Sequence, residues 1–177
     1  MSLSQVSPGT RVPEEVNVIV EIPANTGPVK YEVDKVSGAI FVDRFMATPM
    51  FYPCNYGYVP STLAEDGDPL DVLVVTPVPL IPATVIPARP IAVLRMVDEA
   101  GPDEKVLAVP ASRLTGEYAH VERPQDLGSG LAERIEHFFA HYKDLEPGKW
   151  VKLDGWGDAA EARQIVSESL ERHRQAQ

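Results

Sequence analysis

Ala64-Glu-Asp-Gly-Asp-Pro-Leu-Asp-Val-Leu-Val-Val-Thr-Pro77 places three carboxylates, Asp66, Asp68 and Asp71, within six positions, ahead of an aliphatic run. Leu70 to Val75 is β-branched and aliphatic enough for a buried strand, with Asp66-Gly67-Asp68-Pro69 as the turn leading into it. Brought together in a dry site, three carboxylates repel, so they either face water separately or share a cation. On a regular strand, side chains two apart share a face at roughly 7 Å, and Asp68 and Asp71 face oppositely. Gly67 and Pro69 break that regularity and allow all three acids to turn inward. Oxygen donors without His or Cys suit hard ions such as Mg²⁺, Mn²⁺ or Ca²⁺ rather than zinc. An EF-hand loop begun at Asp66 fails on spacing, because Leu70, Asp71 and Pro77 stand where a ligand, Gly and Glu are required. For this stretch alone, a solvated acidic turn capping a strand remains the alternative.

Outward from it, Val16 to Ile22 reads as a strand closed by Pro23, and Val29 to Asp34 alternates, with Lys30, Glu32 and Asp34 on its polar face. That face alone reads as a solvated sheet surface with a cross-strand ion pair. Ile40 to Met46 is a third strand, carrying Asp43 and Arg44. Thr48 to Pro60, rich in proline and tyrosine, reads as a rigid irregular connection, and so does the proline-rich Val78 to Pro90. Ile91 to Val97 and Glu104 to Val109 are strands around a hairpin loop that brings Asp98 and Asp103, with Lys105 just beyond. Two acid clusters on loops between core strands suggest one shared site.

From Ser129, a candidate cap, the apolar spacing becomes helical through Leu131, Ile135, Phe138, Phe139 and Tyr142, and Pro147-Gly148 is the expected stop. Lys149 to Leu153 is a candidate short strand, and Asp158 to about His173 a second amphipathic helix. His137 and His141 share a helix face, but Phe138 stands where a zincin needs Glu, so they are expected on the surface or in a subunit contact. Short strands followed by two helices predict α+β architecture, mainly β, with a closed or strongly curled sheet.

The 177 residues fit one domain spanning 1–177. No apolar run approaches membrane-spanning length, and the first residues lack the pattern of a signal peptide, so a cytoplasmic protein is expected. Cys54, the single cysteine, is expected to be buried and inert. A net charge of −10 disfavours nucleic acid and anionic membranes. It also means that a phosphorylated substrate must be drawn in by metal ions, local Lys and Arg, or both.

Asp66-Gly67-Asp68-Pro69-Leu70-Asp71-Val72 resembles the signature of the soluble family I inorganic pyrophosphatases, in its prokaryotic form. The resemblance runs from about Val16 to Lys143. Glu21, Lys30, Glu32, Arg44, Tyr52, Tyr56, Asp98, Asp103, Lys105, Tyr142 and Lys143 stand where that family's active-site residues are expected, with no departure. It implies a five-stranded, OB-like closed β-barrel flanked by two main α-helices, hydrolysis of pyrophosphate to two phosphates, and a hexamer built as a dimer of trimers. It implies several Mg²⁺ ions per site, with Mn²⁺ or Zn²⁺ able to substitute, and pyrophosphate arriving as its magnesium complex. By resemblance Asp66, Asp71 and Asp103 hold two ions, and Asp98, Asp103, Glu21 and Glu32 receive those arriving with the substrate. Asp68 is the general base, and Lys30, Arg44, Lys105, Tyr142 and Lys143 grip the phosphates. Tyr56 is expected to bond to phosphate or carboxylates, while Tyr52 supports the acids. An ion pair roughly 4 Å apart, bridging a water, lowers that water's pKa enough for attack at neutral pH.

Three rivals are weighed beside this reading. A hydrolase of another small phosphoanhydride lacks a Walker A or adenine-binding signature here. A non-enzymatic divalent-metal-binding β-barrel module leaves Lys30, Arg44, Lys105 and Lys143 idle. A nucleic-acid-binding OB module lacks a basic and aromatic platform.

Overall fold

A computed structural model describes residues 3–128 and 130–176; Ser129, the expected helix cap, lies outside the described residues. The apolar run forms β1 (Val16–Ile22), followed by a hairpin of β2 (Val29–Val33) and β3 (Ile40–Phe45). Next come β4 (Asn55–Tyr58), β5 (Asp71–Val74), β6 (Val85–Asp98), β7 (Gly101–Pro102) and β8 (Lys105–Pro110). Helix α1 (Leu131–His141), strand β9 (Val151–Gly157) and helix α2 (Ala159–Gln175) complete the order.

Neighbours run β1, β4, β5, β8, β6, and β6 pairs back onto β1, closing a barrel-like ring of five strands. The expected OB-like, mainly β architecture with two helices is thus observed. Every pairing round the ring is antiparallel except that of β5 with β8, which run parallel with Val72 opposite Val106. β7 and β9 extend from β6, while β2 and β3 form a separate two-stranded sheet.

Strands of the ring are apolar on both faces because both faces are covered. Ile22, Leu73, Leu94 and Leu107 pack with Ile135, Phe138 and Phe139 of α1. Their neighbours Val20, Val72, Val93 and Val106 pack with Ala162, Val166 and Leu170 of α2. Burying a Val, Leu or Phe side chain is worth about 1.5–3 kcal/mol, so these layers dominate the stability. Helix α2 starts where expected, since Asp158 accepts a hydrogen bond from the Glu161 N–H at 2.9 Å. Arg95 on β6 clasps Glu161 through two bonds of 2.6 and 2.5 Å, which ties that helix to the barrel.

Four expectations are corrected. Thr48 to Pro60 is not wholly irregular, because Asn55–Tyr58 is a fully buried strand paired with both β1 and β5. Val78 to Pro90 is not a connection throughout, because β6 begins at Val85 and includes Pro87 and Pro90. A register shift between Pro90 and Ala92 accommodates the missing donor. The short strand expected at Lys149 begins at Val151 and runs to Gly157. Helix α1 ends at His141, well before Pro147, with Tyr142 as its C-cap, and the buried Lys143 that follows reaches Asp98.

Candidate active site

The loop into β5 is shaped by its own short-range bonds. Gly67 adopts φ 93°, Asp66 Oδ1 accepts from the Asp68 N–H at 3.0 Å, and Ala64 N–H donates to Asp68 O at 2.7 Å. Below it, Leu70 N–H donates to the buried Thr62 Oγ1 at 2.9 Å. The turn therefore ends on a fixed core residue, and Asp66, Asp68 and Asp71 all face one trough.

That trough has two chambers, of about 330 and 250 Å³, which share Lys30, Tyr56, Asp68 and Asp71 as walls. The outer chamber adds Glu21 and Glu32. The inner one adds Arg44, Asp66, Asp98, Asp103, Lys105, Tyr142 and Lys143. Every residue expected from the sequence at the active site therefore lines one chamber or both. Tyr52 walls the inner chamber too, with its hydroxyl directed at Met46 Sδ, 3.7 Å away, and its ring against Phe138. Sequence reasoning passed over Glu99, Lys149 and Lys35, which also line the trough. The adjacency of Glu99 to Asp98 was the one available signal.

Acids and cations alternate inside. Lys105, almost fully buried, is hydrogen-bonded to both Asp71 and Asp103. Burial opposes its charge, yet the two carboxylates hold it well above the ordinary lysine range. Lys143 Nζ lies 2.6 Å from Asp98 Oδ2 and 3.6 Å from Glu99, which also pairs with Lys149. Burial works against the charged form of Asp98, but Lys143 and the Ala100 N–H outweigh it and hold that carboxyl low. Lys30 Nζ reaches Glu32 at 2.6 Å and Asp43 at 3.6 Å. The polar face of β2 is thus an ion-paired wall of the trough as well as a sheet surface. Burial raises Glu21 to about 7 against the opposing Val33 N–H and Lys35. Burial also pushes the Tyr56 and Tyr142 hydroxyls far up, which keeps both as donors at neutral pH.

Among the described residues no three of these acids stand close enough to enclose an ion by themselves. Lys105 and Lys143 meet that demand for positive charge instead. The donors fit a hard divalent cation in kind: all are carboxylate oxygens, facing one trough from four strands and two loops.

A closed barrel that gathers carboxylates, lysines, an arginine and tyrosine hydroxyls at one end defines a class of protein that handles a small, multiply charged anion together with its cations. Comparison with known proteins makes that particular. Residues 18–174 match the family model described as inorganic pyrophosphatase. The chain is 63% identical over 173 residues to the inorganic pyrophosphatase of Xanthomonas axonopodis pv. citri, covering 98% of this chain and 97% of that one. It is 60% identical over 172 residues to that of Yersinia pestis, covering 97% and 98% respectively. A solved inorganic pyrophosphatase structure from Coxiella burnetii superimposes with a TM-score of 0.90 at 52% identity, covering 95% of this chain and 99% of that one. The chain belongs to the inorganic pyrophosphatase family, whose chemistry uses a divalent metal.

Proposed function

We infer that this chain hydrolyses pyrophosphate to two phosphates, and we propose the trough as the place where it does so. The observation that carries the assignment is the convergence of the acids, cations and tyrosines on one pair of joined chambers. In our reading the ion is Mg²⁺, with Mn²⁺ or Zn²⁺ able to substitute, held by Asp66, Asp71 and Asp103 and, on arrival with the substrate, by Asp98, Glu21 and Glu32. Such ions supply positive charge that neutralises the phosphoryl groups and acidifies a water.

The remaining work falls to side chains. Asp68, exposed on the wall between the chambers, accepts the proton of the attacking water. Lys30, Lys105 and Lys143 draw in the phosphates, and Tyr56 and Tyr142 donate directed hydrogen bonds. Arg44 lines the inner chamber with its side chain partly exposed, and its guanidinium can present two parallel donors to a phosphate. The acidic surface then favours the metal part of the complex rather than opposing its anion.

Phosphate release from pyrophosphate, with Mg²⁺ and with EDTA, tests this. Rapid Mg²⁺-dependent release that Asp68→Asn lowers by about 10²–10⁴-fold is expected. The same variant should keep its circular dichroism and its Mn²⁺ binding. Parental turnover by Asp68→Asn would overturn the base assignment. Release from tripolyphosphate or ATP in preference to pyrophosphate would move the substrate to another phosphoanhydride.

We further propose that the protein acts in the cytoplasm as a hexamer, with His137 and His141 at a contact between copies. Among the described residues no helix is long and apolar enough to cross a membrane. The two imidazoles stand 4.6 Å apart, centroid to centroid, on an exposed face of α1.

A further inference from the structure

The outer chamber has a cation that the assignments above leave without a role. Lys35 Nζ stands 3.9 Å from Glu21 Oε1 and 3.8 Å from the centroid of the Tyr58 ring. Both supports are fixed. Tyr58 is buried in β4, and the turn that launches Lys35 is locked by Asp34 Oδ2, which accepts from Ser37 N–H and Oγ–H at 2.6 and 2.5 Å. The Glu21 side chain is 6% exposed, and the Val33 N–H donates to its Oε1 at 2.7 Å. Both contacts therefore fall on Oε1, which leaves Oε2 as the oxygen for the chamber.

Charge balance gives this contact weight. The chamber wall carries Glu21, Glu32, Asp34, Asp68 and Asp71 against Lys30 and Lys35 alone, and Lys30 is already taken up by Glu32 and Asp43. A half-exposed ion pair contributes little to folding, about 0–1 kcal/mol. What Lys35 does supply is a direction, because ring, turn and backbone N–H together leave the carboxylate one orientation.

We propose that Lys35 is a positioning residue for the reaction, holding the Glu21 carboxylate so that Oε2 faces the chamber that receives the cations travelling with pyrophosphate. This rests on the site assignment above. It places Lys35 behind Glu21 rather than on the phosphates, so its loss should weaken reception of the metal-laden substrate more than the chemical step.

The experiment compares Lys35→Met, Lys35→Arg and, as an exposed control outside both chambers, Lys152→Met. Each is titrated with Mn²⁺ by calorimetry in the presence of methylenediphosphonate, whose bridge cannot be hydrolysed, then assayed across Mg²⁺ and pyrophosphate concentrations. Lys35→Met should raise both the KM and the Mg²⁺ concentration at half-saturation by about three- to tenfold, with kcat within about twofold. It should weaken Mn²⁺ binding in that titration by a comparable factor, with an unchanged melting temperature. Lys35→Arg should recover most of the loss, and Lys152→Met should match the parent. Parental KM and Mn²⁺ binding in Lys35→Met would overturn the proposal, as would a loss confined to kcat and melting temperature. A parent that binds Mn²⁺ but releases no phosphate would sink the pyrophosphatase reading instead, and the titration would still decide the role of Lys35.

Discussion

At Lys105 a buried ammonium is shared by two carboxylates, one on the strand that follows the acidic loop and one on the hairpin loop. Removing such a partner leaves uncompensated charge, which costs about 3–5 kcal/mol. Lys105→Met should lose stability of that order in urea unfolding with EDTA present. The deficit should shrink when Mg²⁺ is added, because a bound cation stabilises the native state and restores the missing charge; an equal deficit in both conditions would contradict this. Cys54 offers a second check. It is 2% exposed, and burial pushes its thiol up to about 12. The native protein should resist iodoacetamide at pH 8, whereas the urea-unfolded chain reacts as an ordinary thiol. Fast labelling of the native form would show that the site opens.

Among the elements, β4 shows what the sequence could not say. Asn-Tyr-Gly-Tyr has no β-branched residue, is only four residues long and holds a glycine with prolines close by, so its alternating tyrosines are too short a signal to mark a strand. Its place is won by pairing on both sides and by Gly57, whose absent side chain lets β1 approach. A Cβ there would lie 2.0 Å from the Ile19 carbonyl oxygen. Gly57→Ala should therefore cost at least the ~1–3 kcal/mol typical of overpacking, read as a lower urea midpoint. Gly67→Ala strains the backbone but meets open space, and should cost less; the reverse order would refute the close-approach argument. The start of β6 was hidden for a related reason, since Pro87 and Pro90 argue against a strand until the bulge is seen. By contrast Val16–Ile22, the Lys30 hairpin and the helix that follows Asp158 were legible, because periodicity and turn residues agree there. The acids were legible through their spacing. Lys149 was not, because its bond to Glu99 spans 50 positions and leaves no local trace.

For the whole molecule, Phe41, Phe45, Phe51 and Ile81 are 58, 80, 62 and 78% exposed, apolar surface that a contact between copies would cover. That suits the proposed assembly. His137 stands exposed on α1 with its ring 4.6 Å from that of His141, which pairs with Asp144 at 2.8 Å. With this pair at the proposed contact between copies, light scattering should give a hexamer for the parent and smaller species for His137→Asp, which sets a second carboxylate on the face that carries Asp144. Equal masses for parent and variant would remove the histidines from the contact.

The one parallel step in the ring has a consequence for how the site could have arisen and how it could be lost. Parallel neighbours begin at the same end, so β5 and β8 deliver their preceding loops side by side, and the register of Val72 with Val106 seats Asp71 beside Lys105, 34 positions away. The chemistry is thus inscribed in strand alignment more than in loop conformation. An extra residue within Val72–Val74 would swing Asp71 to the other face and dismantle the trough. One added between Thr76 and Thr84, on the far side of the barrel, would leave it standing.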